Sequence, residues 1–292
     1  MNFQEYIKTY PQQTMTLRSG KPFTYRLYEN TPDKPTVILL AGGIGLSDAF
    51  FDHFHKFAAH FSVMTFDYQM QFANHRELAD AISEVVVRLN RKAWFVGQSM
   101  GGLVAQIIAK YHPECVDGLV LSNTCTLAAD LSPEAYEQTR GMARRAKRSK
   151  YIIPFIPFNF YMKFMKKFIR KKMTEELSGE KLRNFMEAAD AMKDLLTKRY
   201  IGHMEGLLAD LEHYADMKPA DFAYLKDRVL LILSEDDDTF NQANKDALVN
   251  IMSEPAVVTN LTGGHLALVV RADEYVQIVA DYIDERREKT AQ

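Results

Sequence analysis

Short, continuous apolar runs recur along the chain and alternate with segments of helical periodicity. Five of these runs are interpreted as strands, at residues 36–40, 61–67, 94–97, 118–123 and 228–233. Continuous apolar runs of this length suit strands that are buried on both faces of a parallel sheet. Because strands and helices alternate from residue 36 to 123, the pattern predicts an α/β fold with a mostly parallel sheet and helices on both faces.

Two flanking segments extend the predicted sheet. Residues 14–28 alternate apolar and polar positions around a Ser-Gly-Lys-Pro turn, which predicts an antiparallel hairpin at the sheet edge. Residues 255–261 are interpreted as the last strand, and a helix is expected from about Leu268 or Ala272 to Glu288.

A Gly-x-Ser-x-Gly motif lies where the run ending at Gly97 passes into a helical pattern that starts at Ser99, with Gly101 as its last member. A strand that enters a helix this abruptly forces the turn residue into a strained backbone conformation and lifts its side chain clear of the sheet. This context predicts that Ser99 is a nucleophile. The structural alternative is that the two glycines only permit a tight strand–helix crossing.

The strand, motif and helix together resemble the α/β-hydrolase family. The resemblance runs through residues 1–130 and 222–292. It implies that these two segments form an eight-stranded α/β-hydrolase core, and that residues 131–221 form an inserted helical lid over the nucleophile.

The resemblance also implies two partners for Ser99, since a serine hydroxyl needs a base to take its proton and the family's chain order is serine, acid, histidine. Aligning Ser234 with the family's glycine after strand 228–233 places Asp237 as the acid, with Asp236 and Asp238 as rivals. A solvated acidic turn is the alternative for these three aspartates. His265 alone among the eight histidines lies in a loop after the late strands, and it is therefore the expected base.

The loop after strand 36–40 is the expected oxyanion hole. In the family this loop begins His-Gly, and the next residue donates a backbone N–H. Here Ala41 replaces the histidine and the donor position falls on Gly43. The N–H of Met100, which follows the serine, is the second expected donor. Because backbone groups donate, loss of the histidine side chain does not remove a donor.

The same loop also begins a dinucleotide fingerprint, Gly-x-Gly-x-x-Gly, at Gly43 and Gly45. Asp48 stands where the third glycine would be, although Asp67 after the next strand could mimic a ribose-binding acid. The incomplete fingerprint disfavours a nucleotide site.

The predicted insertion is rich in basic, aromatic and methionine side chains. Residues 140–172 carry twelve Lys or Arg and no Asp or Glu, with interleaved aromatic and aliphatic residues. This pattern favours an anionic membrane surface or an acyl substrate with an anionic head, or else a solvated basic face over a buried apolar one. Eight of the fourteen methionines lie in the insertion, and they suit either adaptable apolar binding or helical core packing.

Composition narrows the remaining classes. A net charge of −2 and the absence of a binding motif argue against nucleic acid. No basic region with an apolar run opens the chain, no apolar run reaches membrane-spanning length, and Cys115 and Cys125 form no metal-like cluster. The two cysteines could pair, but a reducing compartment is the simpler interpretation, so we expect a cytoplasmic protein.

These observations predict a serine hydrolase that needs no cofactor or metal and cleaves a small carboxylic ester with an apolar acyl group. Thioester, amide or C–C bond hydrolysis and acyl transfer remain alternatives on the same triad, since this fold hosts all of them. A non-catalytic binding protein of hydrolase ancestry is the alternative from another class.

Overall fold

The computed structural model describes residues 1–152 and 157–291. Its strands are β1 Gln12–Thr16, β2 Pro22–Tyr28, β3 Thr36–Leu40, β4 Ser62–Thr65, β5 Ala93–Gln98, β6 Val116–Ser122, β7 Val229–Ile232 and β8 Ala256–Val258. They form one eight-stranded sheet in the order β1-β2-β4-β3-β5-β6-β7-β8. The pairs β1–β2 and β2–β4 are antiparallel and the remaining pairs are parallel, which confirms the predicted sheet and its edge hairpin.

The helices in the described residues are α1 Phe3–Thr9, α2 Phe51–Ala58, α3 His75–Arg88, α4 Met100–Tyr111, α5 Pro133–Ile152, α6 Phe158–Glu176, α7 Gly179–Met192, α8 Lys198–Asp210, α9 Pro219–Phe222, α10 Gln242–Ile251, α11 Ala267–Val270 and α12 Ala272–Ala291. None of these helices is long and apolar enough to cross a membrane.

The central strands are apolar throughout because water reaches neither face of the sheet. Every residue of β3, β4, β5 and β7 is buried. Parallel strands bring their carboxyl ends to one edge of the sheet, and in such folds that edge carries the ligand site. The loops after β3, β5 and β7 and the segment after β8 therefore meet in one place.

The structure differs from the sequence expectation at several element ends. The strands expected at 61–67 and 255–261 are only four and three residues long, because the backbone leaves the ladder as soon as pairing with the neighbouring strand ends. Helix α1 was not predicted. It begins with a reciprocal cap between Asn2 and Glu5 and buries Phe3 and Tyr6.

Helices α5–α9 lie between β6 and β7, and in the described part of this segment the only β pairing is an isolated bridge between Ala128 and Met217. In the sequence, Pro133, Pro154, Pro157 and Pro219 predict breaks between helices in this segment. Pro133 and Pro219 begin α5 and α9, and Pro157 directly precedes α6; the first turn of a helix leaves its N–H groups free, so the missing N–H of proline costs no hydrogen bond there. Pro154 lies outside the described residues. That these inserted helices act as a lid stays a prediction.

The basic segment 140–172 falls on α5 and α6. Several of its cations pair with acidic side chains: Arg144 with Glu137, Lys147 with Glu212 and Lys166 with Asp190. Tyr151 and Ile152 are exposed, at 74% and 55%, while Ile153, Phe155 and Ile156 lie outside the described residues. Contact with anionic lipid therefore stays a prediction.

Candidate active site

Ser99 occupies the turn between β5 and α4 with φ 55° and ψ −123°. A residue with a β-carbon rarely adopts positive φ, so the backbone here is strained. Close packing maintains the turn. A β-carbon on Gly97 would lie 2.3 Å from the carbonyl oxygen of Gly101, and one on Gly101 would lie 2.2 Å from the carbonyl oxygen of Leu40. Both positions require glycine because the backbones of β5, α4 and the end of β3 are in direct contact there, with no room for a β-carbon.

His265 and Asp237 meet at the same edge of the sheet, with Nδ1 of the imidazole 3.1 Å from Oδ2 of the carboxylate. Asp237 is 3% exposed, whereas its rivals Asp236 and Asp238 are exposed. Asp236 instead accepts a hydrogen bond from the N–H of Gly263 at 2.8 Å. Of the three neighbouring acids, the structure therefore places Asp237 against the imidazole.

The environment of Asp237 favours its ionised form. Burial alone would raise the pKa of this carboxyl group, but the hydrogen bond and charge interaction with His265, together with hydrogen bonds from Thr239, bring the pKa below its ordinary value. A carboxylate that stays ionised against Nδ1 can orient the imidazole and stabilise a proton gained at Nε2.

The remaining ring nitrogen of His265 faces a side chain that the sequence interpretation did not include. Nε2 of Gln98, the last residue of β5, lies 3.2 Å from Nε2 of His265 and 2.9 Å from the backbone oxygen of His265. The Ser99 hydroxyl makes no hydrogen bond to any described residue. The structure thus brings Asp237 and His265 into contact and places Gln98, rather than Ser99, on the free nitrogen.

Two backbone N–H groups near Ser99 have no acceptor within the described residues. Gly43 is exposed, and a β-carbon built on it would meet no atom within 4 Å. Met100 is the first residue of α4, where the N–H groups of a helix are left free and the helix dipole is positive. Both groups are therefore available to an anionic oxygen.

The loop that carries Gly43 is supported by side chains on both sides of it. The hydroxyl group of Tyr68 donates to the carbonyl of Ala41 at 2.6 Å. The N–H and hydroxyl groups of Ser47 donate to Asp67 at 2.8 and 2.7 Å. Burial raises the pKa of the Asp67 carboxyl group, although the Ser47 hydrogen bonds oppose this. This network stabilises the loop in place of the missing histidine.

Asp48 anchors the end of the same loop. Its two carboxylate oxygens accept hydrogen bonds from Nε and Nη2 of Arg26 at 3.0 and 3.2 Å, and both side chains are largely buried. The guanidinium group also donates to the carbonyl of Tyr10 at 2.6 Å. The residue that breaks the dinucleotide fingerprint is thus half of a buried ion pair.

Replacement of Arg26 by methionine is expected to destabilise the protein by about 3–5 kcal/mol, because it leaves the Asp48 carboxylate buried without its partner. Urea unfolding measures this loss. The double variant Arg26→Met, Asp48→Leu is expected to recover most of the stability, and Lys181→Met, which breaks an exposed pair with Asp273, serves as the control. An Arg26→Met protein as stable as the control would show that the pair does not anchor the loop.

An apolar cavity of about 620 Å³ lies between the loop after β3 and helices α6–α8. Its lining includes Gly43, whose neighbour Gly42 packs next to Ser99: a β-carbon on Gly42 would lie 3.6 Å from the β-carbon of Ser99. Among the described residues, the apolar side chains that line it are Ile44, Ala49, Phe51, Phe185, Met186, Ala188, Ala189, Met192, Leu196, Tyr200, Ile201, Met204 and Leu208.

Among the described side chains of the insertion, Met186, Met192 and Met204 line this cavity; Met192 and Met204 are also buried in the core, and Met173 and Met217 are fully buried. Core packing therefore describes most of these methionines, and adaptable apolar binding stays a prediction. Charged residues on the lining include Lys163 and Glu205, and burial raises the pKa of the Glu205 carboxyl group.

Metal ligands are not clustered anywhere in residues 1–152 and 157–291: no group of three or more His, Cys, Asp or Glu side chains could hold an ion. Cys115 and Cys125 are both buried and unpaired with each other.

Comparison with known proteins gives partial relatives and whole-chain structural neighbours. A putative carbamate hydrolase, RutD, from Agrobacterium fabrum is 28% identical over 124 residues, covering 39% of this chain and 48% of the relative. A proline iminopeptidase from Lactobacillus helveticus is 27% identical over 131 residues, covering 40% of this chain and 45% of the relative. The chain thus spans about half the length of the curated relatives it matches.

Similarity in structure covers more of the chain than these sequence matches do. A hydrolase of known structure from Pseudomonas aeruginosa superposes with a TM-score of 0.70 at 20% identity, covering 94% of this chain and 98% of the other. A family model described as the alpha/beta hydrolase family matches residues 37–278. The match covers most of the chain, including β3 from its second residue, all of β4–β8, the Ser99 turn and the Asp237–His265 pair, and the chain belongs to the alpha/beta hydrolase family.

Proposed function

We propose that this protein is a serine hydrolase that cleaves carboxylic esters with an apolar acyl group through an acyl-enzyme on Ser99. His265 is the general base and Asp237 orients it. The N–H groups of Gly43 and Met100 bind the oxyanion. The observation that carries the proposal is the strained Ser99 turn beside an apolar cavity that opens at Gly43.

The proposed reaction has two stages. In the first, Ser99 attacks the acyl carbonyl while Nε2 of His265 takes its proton, and the imidazolium then protonates the leaving alcohol. In the second, His265 removes a proton from water, which attacks the acyl-enzyme. The imidazolium then returns that proton to the oxygen of Ser99 as the bond to the acyl group breaks and the acid leaves. The negative oxygen formed at each stage is stabilised by two N–H groups that need no reorganisation, because they already lack acceptors.

The cavity supports an apolar acyl group. Its volume falls within the range of small-molecule sites, roughly 300–1,000 Å³, and most of its lining is aliphatic or aromatic. A carbonyl carbon at Ser99 with its oxygen near Gly43 would direct the acyl chain past Gly43 into this space. Burial of each methylene group contributes about 0.8 kcal/mol, or about fourfold in kcat/KM.

The two curated relatives are named as a carbamate hydrolase and an iminopeptidase, so carbamate and amide bonds are the alternatives to an ester. Membership of the family supports a hydrolase, and an ester with an apolar acyl group is favoured here because most of the described lining is aliphatic or aromatic. A panel that matches one acyl chain in ester, thioester and anilide form separates these activities directly.

The test of the acyl site is a series of p-nitrophenyl esters from acetate upwards. We expect kcat/KM to rise by up to about fourfold per methylene until the cavity is filled. Ile201→Trp is expected to shorten the preferred chain while leaving acetate hydrolysis unchanged, because the larger ring occupies the space that the longer chain needs.

The matched control is Arg199→Trp, which adds the same ring at an exposed position of α8 outside the cavity lining. The control is expected to keep the wild-type chain-length profile. Equal profiles for both variants and the wild type would contradict the assignment of the cavity to the acyl group.

A further inference from the structure

Gln98 contacts the proposed base at the atom that must accept the serine proton. Its side chain is 8% exposed at the carboxyl end of β5, directly before Ser99. The amide nitrogen lies 2.9 Å from the backbone oxygen of His265 and 3.2 Å from the ring atom Nε2. The described residues place no other side chain at hydrogen-bond distance from that ring atom.

The hydrogen-bond chemistry determines the orientation of this amide. A backbone carbonyl oxygen can only accept, so the NH₂ end of Gln98 must face His265. The opposite end, Oε1, packs toward the loop after β3, where a β-carbon on residue 42 would lie 2.8 Å from it. Gly42 therefore leaves room for an amide that spans from the oxyanion loop to the imidazole.

The same orientation determines the tautomer of the imidazole. Because Gln98 donates to Nε2, that nitrogen must carry a lone pair, and the ring proton lies on Nδ1, where Asp237 accepts it. This neutral tautomer is the one that can act as a base toward Ser99. In an imidazolium ring, the Nε2–H group would instead point at the N–H of the Gln98 amide.

We propose that Gln98 is a positioning residue that holds His265 in the base-competent tautomer and disfavours the imidazolium form in the resting enzyme. The inference rests on the proposed function, since it assumes that His265 accepts the Ser99 proton. During attack, the Ser99 proton moves to the Nε2 lone pair that accepted from Gln98. The Gln98 hydrogen bond is therefore released as the proton arrives.

Other ionisable groups near this loop come from several elements. Asp237 and Asp236 lie in the loop after β7, and Asp236 bonds to the N–H of Gly263. From α2, His53 contacts the carbonyl of Leu268 at 2.8 Å, and burial lowers the pKa of its imidazole. On the outer side, Lys181 of α7 pairs with Asp273 of α12. Substitutions at position 98 leave these groups unchanged. A difference in pH dependence between such variants therefore reports the effect of the Gln98 amide group alone.

The test is the pH dependence of fluorophosphonate labelling at Ser99 in wild type, Gln98→Met and Gln98→Glu. Met removes the donor at similar length, whereas Glu replaces it with a carboxylate that attracts imidazolium. For each protein the labelling rate is expressed relative to its plateau at high pH, and the pH at which the rate falls to half is compared. This midpoint is expected to rise in Gln98→Met, and to rise by about one pH unit or more in Gln98→Glu, since a charge this close shifts a titration by about 1–3 units.

The inference is supported if the midpoint increases in the order wild type, Gln98→Met, Gln98→Glu. Near-UV circular dichroism checks that each variant is folded. If the Glu variant does not fold, the Met variant alone decides by the position of its midpoint. Coincident midpoints in the folded variants would overturn the role of Gln98 and leave the triad standing. Absence of labelling at Ser99 in the wild type would overturn the proposed function itself.

Discussion

Replacement of Ser99 by alanine is expected to lower ester turnover by at least about 10⁴-fold while leaving the fold and its stability nearly unchanged. The loss follows because no covalent acyl-enzyme can form without the hydroxyl group. The stability is retained because the hydroxyl group bonds to no described residue, and the N–H and carbonyl groups of residue 99, which bond to Ser122 and Thr124, are kept. Turnover of a short ester and urea unfolding measure the two effects.

The matched control is Ser122→Ala, a buried serine at the carboxyl end of the adjacent strand β6. Its hydroxyl group bonds to the hydroxyl group of Tyr275 at 2.8 Å, so this variant is expected to lose about 1 kcal/mol of stability and to keep its turnover. Full turnover in the Ser99→Ala protein would mean that another group is the nucleophile.

Replacement of Gly97 by alanine is expected to destabilise the fold strongly, because it disrupts the crossing of β5 and α4. The added methyl group would lie 2.3 Å from the carbonyl oxygen and 2.4 Å from the carbonyl carbon of Gly101, and 2.7 Å from the backbone nitrogen of Gly102. These atoms belong to the first turn of α4 and cannot rotate away, so β5 and α4 must separate. We expect a loss of about 3 kcal/mol or more, measured by urea unfolding.

Gly202→Ala is the control for this substitution, because a β-carbon there meets nothing within 4 Å and the residue lies inside α8. This variant is expected to gain up to about 1 kcal/mol from helix propensity. If Gly97→Ala were as stable as Gly202→Ala, the close crossing that strains Ser99 would not exist in solution.

The sequence predicted the sheet and the Ser99 turn well because both depend on local patterns. The buried runs in β3, β5 and β7 are apolar throughout, and the two glycines around Ser99 lie next to the strand and helix that they join. Such signals are contained within a dozen residues. The element ends were less predictable, since they depend on where a neighbouring strand stops.

The features that the sequence interpretation missed depend on residues far apart in the chain. Arg26 and Asp48 are 22 residues apart, and Gln98 and His265 are 167 apart. The identity of these residues does not indicate which distant residue each one contacts. In the sequence, Asp48 was notable only because it replaces the third glycine of the dinucleotide fingerprint. Asp237 was the expected acid on the family pattern, but only the turn after β7, which buries Asp237 and leaves Asp236 and Asp238 exposed, separates it from these two rivals.

The inserted helices show a further limit of sequence patterns. Their apolar and methionine-rich residues fit core packing and ligand binding equally well, because both require the same side chains. Only the placement of α7 and α8 against the loop after β3 shows that Met186, Met192 and Met204 line the cavity, and Met192 and Met204 do so while they are also buried in the core.

The central claim is that Ser99 is an activated nucleophile with His265 as its base. Labelling with a fluorophosphonate probe, followed by peptide mapping of the adduct, tests this most directly. We expect a single adduct on Ser99 that is lost in His265→Ala protein. Folded wild-type protein that takes up no label, or takes it up on another residue, would contradict the claim and favour a binding protein built on a hydrolase fold.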